Sequence, residues 1–210
     1  MRGPVVSASP RYSQVAIVFH WTIAALVVAN LAIGLLHESL LPGTIPLHKA
    51  IGLTVLALTA ARIAWRLSHR PPPLPAEIPV WARGSAHALH ATLYALMIAM
   101  PMTGWAMGSG RDVPRPVSWF GLFDVPPLPI GKAAAGVGHE AHEILGWAML
   151  VLVAIHVAAA LRHHFLLRDG LLARMSFRRG KPVCGVPDKR CLADCSQLGF
   201  CAYWCASEPA

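Results

Sequence analysis

Residues 139–164 read HEAHEILGWAMLVLVAIHVAAALRHH, an apolar stretch long enough to cross a bilayer with histidines at both ends. His142 and His156 stand fourteen residues apart. At about 100° per residue this spacing falls within roughly 40° of whole helical turns, so both imidazoles leave one face, about 21 Å apart along the axis. One helix would then serve two sites at two depths. Ionisable groups within a span are costly and default to a functional reading, and neutral imidazole is a nitrogen donor for transition metals and haem iron.

The rest of the chain supplies partners. Apolar stretches at about 15–36, 48–68, 87–108 and 141–164 predict four membrane-spanning helices, an all-α integral membrane four-helix bundle. The predicted organisation is a lead at 1–14, a membrane domain at 15–176 and a cysteine-rich tail at 177–210. Only 13% of the 210 residues are charged and 55% are hydrophobic, which points to lipid as part of the solvent. The first apolar stretch exceeds the roughly 7–15 residues of a signal-peptide core and reads as a retained helix.

The net charge of +8 is unevenly placed. Arg2 and Arg11 precede the first span, Arg62, Arg66, Arg70 and Arg83 surround the second connection, and Arg162, Arg168, Arg174, Arg178, Arg179, Lys181, Lys189 and Arg190 follow the fourth. Lys49, Arg111, Arg115 and Lys132 remain for the opposite side. By the positive-inside rule both termini are cytoplasmic and the loops at 37–47 and 109–140 face outward, which accounts for the charge without nucleic acid.

His20 lies near the inner end of the first span and His48 near the outer start of the second. Height therefore pairs His20 with His156 and His48 with His142. Gly34 allows close approach of a neighbouring helix or a flat cofactor, and Gly52 is expected to clear room beside His48. The connection before His48 contains the breakers Pro42, Gly43 and Pro46, and the linker from His69 to Trp81 has five prolines within nine residues. Pro101 should kink the third span or mark its last turns. The segment 108–132, rich in proline, glycine and aromatics, reads as an interfacial cap.

A structural zinc would need about four N or S ligands per centre, and the spans contain no cysteine. Two imidazoles per level suffice for a haem, whose porphyrin supplies four nitrogens, and the lack of C-x-x-C-H argues against covalent attachment. Two b-type haems are expected.

RYS at 11–13, HW at 20–21, LHKAIG at 47–52, R-x-x-W-R at 62–66, AHALHATLY at 86–94, PMTGW at 101–105, HEAHE at 139–143 and IHVAAALRHHFLLRDGLLARM at 155–175 together resemble the bacterial cytochrome b561 family. The resemblance covers roughly residues 10–176. It implies an inner-membrane protein with two b haems exchanging electrons with quinone, and His20, His48, His142 and His156 stand where that family has its axial ligands. Some members oxidise superoxide with ubiquinone as acceptor. The alternative is a membrane-anchor cytochrome b subunit relaying electrons for a separate enzyme such as a hydrogenase.

Arg66, His87, His90, Tyr94, His163 and His164 are candidates for holding a quinone. Lys49, Arg111, Arg115 and Lys132 are candidates for steering a small anion such as superoxide, against the alternative of ordinary rim charges. In the tail, Cys191, Cys195, Cys201 and Cys205 form two C-x3-C pairs. They read either as an unstructured extension or as a knot around zinc or another metal.

Overall fold

A computed structural model describes residues 11–69, 79–110, 116–168 and 170–177. Arg111, Arg115 and the four paired cysteines of the tail lie outside the described residues. The chain divides into two units, and everything below concerns the first, Met1–Phe177.

Four long helices dominate: α1 (Gln14–Leu36), α2 (Ile45–Ser68), α3 (Val80–Ser109) and α4 (Lys132–Arg162). Helix α1 opens where Ser13 Oγ accepts the amide of Ala16, an N-cap that satisfies one of the helix's unpaired donors. Pro46, predicted to break the chain, instead sits in the first turn of α2, where its missing N–H costs nothing. Pro101 lies inside α3, about two turns before the helix ends at Ser109, in the last turns as its position in the sequence suggested. Helix α4 begins at Lys132, within the stretch expected to be outer loop, because the alanines and glycines of KAAAGVG carry no breaker strong enough to stop it.

Helices α1, α2 and α4 with its continuation to Leu167 are long and apolar enough to cross a membrane. Helix α3 is long but dilutes its apolar residues with His, Thr, Tyr, Pro and Gly. Ile144, Trp147, Val151 and Ile155 form an exposed apolar stripe along α4, spaced as one helical face turned to lipid.

Each helix packs on the next in sequence: α1 on α2, α2 on α3, α3 on α4. Small residues set the last contact. A Cβ on Gly138 would stand 3.2 Å from the Ala106 methyl and 3.3 Å from the Thr103 carbonyl oxygen, so α3 and α4 approach backbone to backbone there. Ile17, Ile23, Ala50, Ile51, Val55, Leu96 and Met149 are buried between helices.

The segment expected to be an irregular cap contains a hairpin, β1 (Val117–Trp119) and β2 (Phe123–Val125), antiparallel with Trp119 opposite Phe123. Phe120 and Gly121 have φ of 49° and 76°, which turns the chain. Trp119 Nε1 donates to Thr54 Oγ1 at 3.0 Å and ties the hairpin to α2. At the opposite end, α4 unwinds through a π turn (His163–Leu167), Arg168 adopts φ 50°, and a 3-10 turn (Leu172–Met175) folds back. Arg11 Nη2 donates to the carbonyls of Ala173 and Ser176 at 3.1 and 3.0 Å, and Trp21 Nε1 to that of Met175 at 2.9 Å. The first and last described segments therefore meet, which defines a terminal end and a hairpin end.

Candidate functional site

At the hairpin end, the rings of His48 on α2 and His142 on α4 come together with centres 6.0 Å apart and planes nearly perpendicular, at 81°. At the terminal end, His20 on α1 and His156 on α4 do the same at 6.3 Å and 78°. The structure thus brings together both pairs expected from height alone. Helices α1 and α4, and α2 and α4, are not among the closely packed pairs, so each imidazole pair bridges helices that stand apart.

This spacing fits a metal held between two rings. Metal–imidazole bonds are about 2.0–2.1 Å, and two in line, with roughly 1.1 Å from each nitrogen to its ring centre, give about 6.3 Å. Direct hydrogen bonding between the rings would bring them closer.

The tautomers at the hairpin end also suit ligation. His48 Nδ1 lies 3.1 Å from the carbonyl oxygen of Asn30, and His142 Nδ1 lies 3.0 Å from that of Met100 and 3.1 Å from Thr103 Oγ1. With Nδ1–H donated to a carbonyl, Nε2 keeps its lone pair for a metal.

Glycines make space for these rings. A Cβ on Gly34 would come within 3.0 Å of His48 Cε1, and one on Gly104 within 3.0 Å of His142 Cε1. Gly52, expected to serve His48, faces the Asn30 side chain of α1 instead. Gly34 takes the role predicted for Gly52.

The terminal-end pair sits in a group of aromatics. Trp21 meets His20 edge-on at 5.3 Å, and His90 meets His156 at 5.2 Å. Of the residues predicted to hold a quinone, Arg66 and Tyr94 come together: Tyr94 Oη accepts from Arg62 Nε at 2.7 Å and from Arg66 Nη1 at 3.4 Å. Both guanidinium carbons lie within 6 Å of the tyrosine ring centre, at 5.9 and 5.8 Å. Trp65, between the two arginines in sequence, has a buried indole nitrogen with no acceptor among the described residues. His90 joins the ring cluster, while His87 bonds the carbonyl of Arg83 at 2.8 Å on an exposed surface. His164 packs on its neighbour Phe165, and no hydrogen bond or ring contact joins it to Tyr94. His163 lies beside it in the π turn.

Among the cations predicted to steer an anion, Lys49 lines a cavity of about 480 Å³ at the hairpin end with Ile45, Pro46, Gly108, Pro116, Val117 and Ser118. Lys132 is the first residue of α4.

Sequence reasoning missed Asn30, Met100 and Thr103. Two of them act through main-chain carbonyls, which no residue type advertises. Thr103 stood in the PMTGW motif without an assigned role.

These features define a class: a helical membrane protein carrying paired imidazoles at two depths, the donor set of a b-type haem protein. A family profile described as prokaryotic cytochrome b561 matches residues 11–178. The chain is 34% identical to cytochrome b561 homolog 2 of Escherichia coli K12, over 79% of its own length and 90% of that protein's. It is 30% identical to the probable superoxide oxidase CybB of Yersinia pestis, over 79% and 95%. With cytochrome b562 of Cereibacter sphaeroides the figures are 28%, over 81% and 98%. The chain belongs to the prokaryotic cytochrome b561 family, and with it to the bacterial membrane proteins that transfer electrons through haem b.

Proposed function

We propose that this protein is a di-haem b cytochrome of the bacterial inner membrane, a four-helix bundle with both termini cytoplasmic, that passes electrons from superoxide at the outer face to quinone. The observation that supports the reading is the pair of histidine couples at two depths, His48 with His142 at the hairpin end and His20 with His156 at the terminal end. His20, His48, His142 and His156 would hold haem, which would supply one-electron chemistry at each level.

The chain's own residues do the rest. His20, His48, His142 and His156 fix the two redox centres, and lipid-facing helices keep water from them. At the inner level Arg62 and Arg66 point N–H donors at Tyr94 Oη, leaving the phenol proton to donate to a quinone oxygen. A quinone takes two electrons and two protons, so it needs such donors beside it; His87, His90, His163 and His164 complete the candidate set. Lys49 and Lys132, with Arg111 and Arg115, would draw an anion toward the outer centre. The superoxide reading draws support from the name of the Yersinia relative.

The test is the purified full-length chain with xanthine oxidase as superoxide source and a short-chain ubiquinone. Superoxide-dependent quinol formation, absent from protein lacking His48 and His142, is the expected result. Two haems per chain without such turnover would instead favour a relay subunit for a separate enzyme.

A further inference from the structure

The two histidine pairs are held differently. At the hairpin end both Nδ1 atoms have main-chain acceptors, and His142 has a second in Thr103. Thr103 Oγ1 donates its own proton to the Met100 carbonyl at 2.9 Å, so its lone pairs are directed to accept from His142. At the terminal end neither His20 nor His156 makes a hydrogen bond among the described residues; their rings are held by Trp21 and His90 instead. A ligating imidazole that donates Nδ1–H to an oxygen becomes a stronger electron donor and favours the oxidised metal.

Resting on the proposed placement of two haems, we infer that Thr103 and the carbonyls of Asn30 and Met100 make the hairpin-end centre the lower-potential one. With haem held at both levels, an electron given up by the hairpin-end centre would be taken up by the terminal-end centre in a downhill step, and two such passages with two protons would reduce one quinone to quinol. Thr103 acts here as a positioning residue, through His142.

The experiment is a redox titration of the full chain followed in the α-band, on the parent protein, His142→Ala, His156→Ala, Thr103→Val and Thr103→Ser. Two waves are expected. His142→Ala should keep only the upper wave and His156→Ala only the lower. Thr103→Val should move the lower wave upward with the upper wave unmoved, and Thr103→Ser, which keeps the hydroxyl, should restore it. The inference is overturned if His142→Ala keeps the lower wave, if the waves coincide, or if Thr103→Val leaves the lower wave in place. A single haem, or none, in the parent protein would refute the paired-histidine reading itself and is told apart by the haem-to-protein ratio.

Discussion

Replacing Gly104 by alanine puts a methyl carbon 3.0 Å from His142 Cε1 and 3.2 Å from its Nδ1, about 0.4 Å inside the 3.4 Å at which ordinary contact begins. The ring cannot simply slide away. Its Nδ1 is held at 3.0 Å from the Met100 carbonyl and 3.1 Å from Thr103, and under the proposed ligation a metal bond at Nε2 of about 2.0–2.1 Å would not stretch by that amount. Overpacking of this kind costs about 1–3 kcal/mol, equivalent to roughly 5- to 150-fold in affinity for whatever the ring ligates. Gly104→Ala should therefore lower hairpin-end haem occupancy while the terminal-end haem stays. The assay is haem per protein by pyridine haemochrome with a reduced-minus-oxidised spectrum, comparing Gly104→Ala with Gly136→Ala, whose added methyl meets nothing within 4 Å. The expected ratio falls from two toward one in the first and holds at two in the second. Two haems with unshifted bands in Gly104→Ala would show that His142 does not bind where its ring lies.

Gly34→Ala should act in the same way through His48, since its Cβ would also stand 3.0 Å from that imidazole; the two substitutions together should add little to either alone in the haem assay. Tyr94→Phe removes the oxygen shared by Arg62 and Arg66 and should slow quinone reduction several-fold with both haems retained, as read by stopped-flow oxidation of the prereduced protein. Gly110→Ala drives a methyl into Ala135 and the Gly131 carbonyl where α3 meets α4, and should destabilise the protein by about 1–3 kcal/mol in a thermal melt followed by the Soret band.

The helices were legible in the sequence because lipid demands long uninterrupted apolar runs, and the histidine pairs because depth along a helix is fixed by residue count. Helix ends were less so. Pro46 read as a breaker, yet it fills the first turn of α2. The hairpin at 117–125 was hidden in a short aromatic run, since three-residue strands show too little alternation to be distinguished from loop. At the site, which ring each neighbour meets could not be read because the neighbours come from other helices: Gly34, singled out for close approach, reaches His48 across α1–α2, and Gly104 and the Met100 carbonyl reach His142 across α3–α4. Spacing within one helix says which residues share a face, but not which face of the next helix they meet. The glycine expected to clear His48, Gly52, failed for that reason.

The near-perpendicular ring planes, 81° and 78°, give the central claim its most direct test. Crossed imidazole planes on a low-spin ferric haem leave two iron orbitals nearly degenerate and produce a strongly anisotropic electron paramagnetic resonance signal. Low-temperature spectra of the oxidised, purified protein should show two such low-spin signals, one lost in His142→Ala and the other in His156→Ala. High-spin haem, an ordinary rhombic low-spin signal from parallel rings, or a colourless protein would contradict the arrangement.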